Sequence, residues 1–157
     1  MGDNENNLPI AVTIGEPSGI GPEVILKAWY KRNEFFLSDF FVIGSAELLK
    51  KQVEHLSLNI PIRIIESPEQ TASIFPNALP VLDLDMGSAF QFSRPILETA
   101  SMVIASIDKA VDFILSGRAR AITTAPIQKS VLYDAGFTSP GHTEYLAKLC
   151  EKHDGKK

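Results

Sequence analysis

Cysteine is almost missing from this sequence: the 157 residues include one, Cys150. A lone thiol forms no internal disulfide, which excludes a stapled secreted scaffold and fits a reducing cytoplasm. Cys150 reads as a helix residue facing a core or a partner rather than as a nucleophile. A basic surplus is missing too. Lys and Arg number 15 against 19 Asp and Glu, a net charge of −4, so no basic face advertises nucleic acid. No apolar run approaches the length of a membrane span. The polar start, Met1 to Asn7, lacks the basic and apolar regions of a signal peptide. Asn6 stands where a myristoylation signal wants Ser or Thr. The expectations are a cytoplasmic protein, with neither nucleic acid nor membrane as partner.

Several site motifs are absent as well. The three histidines, His55, His142 and His153, include no H-x-x-x-H pair that would aim two rings at one ion. No G-x-S-x-G elbow is present. The phosphate loop G-x-x-x-x-G-K-[ST] fails, because Ile20 sits five positions after Gly15 and no lysine follows. The dinucleotide fingerprint G-x-G-x-x-G, started at Gly19, fails at Val24.

What remains is an ordinary globular composition, 45% hydrophobic and 22% charged. The length suits one domain with one sizeable core. Residues 1–7 read as a disordered tail and 8–157 as a single unit. Leu8 to Ile14 form an apolar run rich in branched side chains, the mark of a buried strand. Phe40 to Ile43, Pro61 to Ile65, Leu79 to Leu84 and Arg120 to Thr123 are further strand candidates. Pro22 and Glu23 suit the first turn of a helix that continues through Trp29. Ser45 fits an N-cap for a helix to about Leu56. Pro68 and Pro76 suggest that 66–77 is irregular. Ala100, Val103, Ile107, Ala110, Val111 and Ile114 recur at helical spacing within about Pro95 to Ser116, with Gly117 placed to stop the helix. Shorter helices are expected from Ile127 to Ala135 and from about Thr143. This alternation predicts an α/β/α layered fold with a largely parallel sheet.

Two loops carry candidate chemistry, because ligands of open α/β sheets sit beyond the carboxyl ends of the strands. Gly15-Glu16-Pro17-Ser18-Gly19-Ile20-Gly21-Pro22 permits close backbone approach and feeds a helix N-terminus. It reads equally well as a ligand loop or as a tight strand-to-helix turn. Thr123-Thr124-Ala125-Pro126-Ile127-Gln128-Lys129 is followed by Ser139-Pro140-Gly141-His142-Thr143-Glu144. Lys129 offers a point charge for a phosphate. His142 and Thr143 sit where a helix begins, beside its free N–H groups. The plainer alternatives are a surface histidine, an N-cap threonine and a solvated lysine.

In register, Ile14 to Glu23, Thr123 to Lys129 and Gly136 to Glu144 resemble the hallmark segments of the 4-hydroxythreonine-4-phosphate dehydrogenase family. The resemblance runs from about Leu8 to His153 and covers about the first half of a typical member. It implies a fold like that of isocitrate and isopropylmalate dehydrogenases, with two α/β lobes, a cleft and a homodimer. It implies NAD-dependent oxidation of 4-phosphooxy-L-threonine, followed by decarboxylation to 3-amino-2-oxopropyl phosphate for pyridoxine synthesis. A divalent ion (Zn, Mg or Co) would assist. The family's substrate-contacting His-Thr pair maps onto His142 and Thr143, and Lys129, Glu16, Ser18 and Gly19 are expected near the cleft. No metal ligand is expected within the chain. The metal ligands, the phosphate-binding basic residues and most NAD contacts are expected beyond Lys157. Two alternatives stay open: a related four-carbon substrate such as threonate 4-phosphate, and an inactive remnant.

Overall fold

The computed structural model describes residues 7–86, 99–134, 136–139 and 141–155. The expected tail over 1–6 and the expected helical turn over 95–98 lie outside them. Five parallel strands form one sheet in the order β3-β4-β2-β1-β5: β1 Ile10–Thr13, β2 Phe40–Gly44, β3 Ile62–Ile65, β4 Leu79–Asp83 and β5 Ala121–Thr124. The helices are α1 Gly21–Tyr30, α2 Ala46–His55, α3 Thr71–Ile74, α4 Ala100–Leu115, α5 Lys129–Asp134 and α6 His142–Asp154.

The strands read as continuous apolar runs because both faces of a parallel sheet are covered. All five residues of β2 are buried. Side chains alternate between the faces. Val12, Ile14, Phe40, Val42, Leu79 and Val81 pack with Ile25, Leu26 and Trp29 of α1 and Leu48 and Leu49 of α2. Ala11, Phe41, Ile43 and Leu82 pack with Ala110, Phe113 and Ile114 of α4. The helix ends follow local chemistry. Pro22 opens α1 with Glu23 in its first turn. The Leu48 N–H donates to Ser45 Oγ at 3.2 Å to start α2. Gly117, at φ +68°, follows the end of α4.

Two local expectations need correcting. Residues 66–77 are not irregular: a 3-10 turn over Pro68–Gln70 leads into α3. Gln70 Oε1 accepts the Glu66 N–H at 2.7 Å, and Phe75 is fixed by distant partners. Trp29 Nε1–H donates to the Phe75 carbonyl at 3.1 Å, and the Phe40 and Phe75 rings meet edge to face at 4.9 Å. A residue 46 positions away thus decides what two prolines left open. Cys150 does not face the core: it is exposed.

The chain crosses from one side of β1 to the other. It runs β1, β2 and then outward to β3 and β4, before α4 carries it to β5 on the opposite flank of β1. The β1/β5 boundary is therefore a topological switch point, where open α/β sheets bind ligands beyond the strand ends.

Candidate functional site

β1 and β5 are parallel neighbours with Thr13 opposite Thr124, so the loops that follow them emerge side by side. The first loop presses its backbone onto the second. Gly15 has φ +71°, and a Cβ there would lie 2.5 Å from the Pro126 carbonyl oxygen and 2.9 Å from the Ala125 Cβ. The Glu16 N–H donates to that same carbonyl at 2.8 Å. At Gly21 a Cβ would meet the Ile14 carbonyl at 2.7 Å and the Ala125 Cβ at 3.1 Å. These two glycines serve close packing of one loop on the other. The room that a side chain would need is filled by the protein's own atoms.

Glu16 is buried, 5% exposed, and its carboxylate works inside the loop. Oε1 accepts Ser18 Oγ–H at 2.8 Å and the Ser18 N–H at 3.3 Å. Gly19 N–H donates to the Glu16 carbonyl at 3.0 Å. Ser18 and Gly19 border a polar depression of about 220 Å³ whose other walls are Pro17, Ile20, Glu23 and, from the α2 side, Gln52, His55 and Leu56. They therefore look toward α2, whereas Gly15 and Glu16 abut the second loop.

The hydroxyls of Thr123 and Thr124 do not converge. Strand alternation sends Thr123, beside Val12, into an apolar groove under α1, and Thr124 to the other face. Thr13, at the end of β1, is 1% exposed and its Oγ1 has no hydrogen-bond partner among the described residues.

Lys129 opens α5 and reaches the start of α6. A Cβ on Gly141, the residue before α6, would lie 3.6 Å from Lys129 Nζ and 3.2 Å from Glu144 Oε2. An ammonium thus sits against a helix N-terminus whose first N–H groups lack intrahelical acceptors. His142 and Thr143 occupy the first two positions of that helix. Gly141 is its N-cap, so Thr143 is not. Thr143 is exposed; the His142 side chain lies outside the described residues.

Three anchors invisible in the sequence hold this helix. Tyr145 OH donates to Asp108 Oδ1 of α4 at 2.6 Å, and its ring meets Phe137 edge to face at 4.9 Å. Burial, then the Asp108 hydrogen bond, pushes the phenol pKa up. Lys148 Nζ donates to the buried Ser139 Oγ at 3.1 Å. No helical or strand spacing signals these contacts; Asp108 is 37 positions from Tyr145.

Chemically, the second loop and α6 bring the Lys129 ammonium and the Glu144 carboxylate together at a helix start, whose free N–H groups favour an anion. Among the described residues, no group of three His, Cys, Asp or Glu side chains could hold a metal ion. No helix among them is long and apolar enough to cross a membrane.

Fold and site define a doubly wound α/β protein in which a lysine meets a helix start in the loops beyond its switch point. Comparison with known proteins narrows this. The family model of the pyridoxal phosphate biosynthetic protein PdxA matches residues 37–156. The chain is similar to the 4-hydroxythreonine-4-phosphate dehydrogenases of Methylorubrum extorquens, 42% identical over 146 residues, and Zymomonas mobilis, 41% identical over 142. These matches cover 92% and 90% of this chain but 42% and 41% of the relatives. The chain therefore spans less than half the length of the curated relatives it matches. The crystal structure of the Burkholderia phymatum 4-hydroxythreonine-4-phosphate dehydrogenase superposes with a TM-score of 0.81 at 28% identity, covering 96% of this chain and 44% of that one. A terephthalate 1,2-cis-dihydrodioldehydrogenase from Burkholderia xenovorans shares the fold alone, at TM-score 0.66 and 19% identity. The chain belongs to the PdxA family of pyridoxal phosphate biosynthetic proteins.

Proposed function

We propose that this chain forms the substrate-binding wall of a 4-hydroxythreonine-4-phosphate dehydrogenase, which oxidises 4-phosphooxy-L-threonine with NAD in vitamin B6 synthesis. One observation carries the reading: in a chain of this family, the Lys129 ammonium lies against the first turn of the helix that begins with His142 and Thr143. Lys129 and the free N–H groups of α6 would neutralise an anionic end of the substrate. His142 and Thr143 would donate hydrogen bonds to its oxygens, and hydrogen bonds to charged acceptors are the strong kind. Fixing the substrate in this way contributes to rate through orientation. Glu16 and Ser18 act one step away. Their mutual hydrogen bond shapes the turn that backs the Pro126 carbonyl.

The redox step needs a hydride acceptor, and NAD supplies that chemistry when bound. The described residues form no ligand cluster for a divalent ion, and the loop glycines are packed against protein. On the family resemblance, metal ligands and most NAD contacts are assigned to the part of the relatives that this chain does not match. The proposed setting is a cytoplasmic homodimer of the complete two-lobed enzyme.

The test is NADH formation from 4-phosphooxy-L-threonine by a complete protein carrying this chain, with a divalent ion and NAD saturating. Lys129→Ala is expected to raise KM at least about tenfold, equivalent to roughly 1.4 kcal/mol of lost binding. Wild-type kinetics in that variant would remove Lys129 from the site. Faster turnover of threonate 4-phosphate than of the amino acid would move the assignment to the related substrate.

A further inference from the structure

The start of α6 is held chiefly through Tyr145. The helix is lightly packed: Tyr145, Leu146 and Leu149 are half-buried, and none of its described side chains is fully buried. Helices in proteins hold their place mainly through a buried apolar face, and few buried contacts leave an element free to shift. Specific bonds must therefore do here what packing does elsewhere. The Tyr145 backbone N–H donates to the Gly141 carbonyl at 3.2 Å and closes the turn that carries His142 and Thr143. Its ring meets Phe137 edge to face at 4.9 Å. Its phenol donates to Asp108 Oδ1 at 2.6 Å, the length of a hydrogen bond to a charged acceptor. The bond from Lys148 to Ser139 acts further along the helix.

The groups that Tyr145 meets are themselves fixed. Asp108 stands on α4, which packs on β1, β2 and β5 and buries Val103, Ile107 and Ala110. Phe137 packs on the core with the buried Leu132 of α5, and its N–H donates to the Leu132 carbonyl at 2.9 Å. α5 begins with Lys129. Tyr145 therefore links the turn that carries His142 and Thr143 to the segment that carries the ammonium and to the helix that backs the sheet. We propose that Asp108 and Tyr145 are positioning residues for substrate binding: their hydrogen bond sets the first turn of α6 at a fixed separation from Lys129. This rests on the reading of Lys129 and the start of α6 as the substrate site. Neither side chain touches the substrate in this account. The bond acts on orientation, where a displacement of about 1 Å can cost about a hundredfold in rate. Apolar bulk alone would be served by phenylalanine; the hydroxyl is needed for the aim of the turn.

The experiment uses a complete protein carrying this chain and steady-state kinetics with 4-phosphooxy-L-threonine and NAD. Tyr145→Phe keeps the ring and removes the donor; Asp108→Ala keeps the donor and removes the acceptor. Each is expected to raise KM for the phosphorylated substrate at least about fivefold, while KM for NAD stays within about twofold. Asp108→Asn retains a side-chain oxygen for the phenol and should bring KM back to within about twofold of the wild type. Combining Tyr145→Phe with Asp108→Ala should be no worse than either change alone, because both break the same bond. A purely structural loss would lower the active fraction, and so kcat, without the split between the two KM values and without rescue by asparagine; that pattern would overturn the inference. Unchanged substrate KM in both single variants, while Lys129→Ala raises it, would overturn the inference and leave the site standing. Wild-type kinetics in Lys129→Ala would remove the site itself, and the inference with it.

Discussion

Replacing Gly15 with alanine probes the contact on which the candidate site depends, and its cost can be worked out from the structure. Two penalties combine. The backbone sits at φ +71°, where a residue with a Cβ loses about 1–2 kcal/mol. The new methyl would also lie 2.5 Å from the Pro126 carbonyl oxygen and 2.9 Å from the Ala125 carbonyl carbon and Cβ. Backbone atoms cannot swing aside as a side-chain tip can, and overpacking of this kind costs about 1–3 kcal/mol. The loops must part, which also strains the 2.8 Å bond from Glu16 N–H to Pro126 O. The expected destabilisation is about 2–5 kcal/mol. Gly117 supplies the control. It has φ +68°, but nothing among the described residues lies within 4 Å of a Cβ placed there. Gly117→Ala should cost only the backbone penalty, less than about 2 kcal/mol after the entropy that alanine removes from the unfolded chain. Urea unfolding of the three proteins, read as shifts in midpoint at constant m, measures both effects. Equal midpoints for the two variants would mean that the loops do not touch as described.

Other perturbations give separate readouts. Thr13→Val should leave stability unchanged or raise it by about 1 kcal/mol, since the Thr13 hydroxyl is buried without a partner among the described residues; a loss beyond about 1 kcal/mol in urea unfolding would reveal a hydrogen bond there. Tyr145 has its phenol pKa raised in the fold from an ordinary 10.0. Its stabilisation is therefore complete below about pH 10 and fades as pH climbs toward the folded value. Tyr145→Phe should remove that alkaline loss and detach α6 from Asp108, raising amide hydrogen exchange in α6. Glu69 shows the opposite sign: hydrogen bonds from Arg118 lower its pKa from 4.5 to about 2. Its contribution is present above pH 4.5 and is lost as pH falls toward 2. The pair is exposed, so the effect should be small, weaker in salt and absent in Glu69→Gln.

Much of the architecture could be read from the residues alone, for a physical reason. Strands covered on both faces become unbroken apolar runs, and β2 and β4 stood out on that ground. Caps are local too, so Ser45, Pro22 and Gly117 did in the fold what their chemistry suggests. What escaped depends on distant partners. α3 is held by Trp29 and Phe40, and two prolines nearby argued against it. The glycine loop was legible as a loop, but the need for Gly15 lies in Pro126, which only the β1–β5 pairing brings near. Thr123 and Thr124 are adjacent in the sequence, yet a strand's period of two sends them to opposite faces. Ser18 and Gly19 border a depression shared with α2, and Lys129 lies beside Gly141, neighbours that no local pattern reports. The anchors of α6 on Asp108 and Ser139 are tertiary contacts that no spacing rule reports.

The central claim is that a phosphorylated acid is held where Lys129 meets the start of α6. Backbone amide NMR of this chain during titration with 4-phosphooxy-L-threonine reads that directly. Saturable shifts centred on Lys129, Thr143 and Glu144, weakened at least about tenfold by Lys129→Ala, are the predicted result. Shifts confined to the depression beside Gly19 and Gln52, or binding untouched by Lys129→Ala, would contradict it.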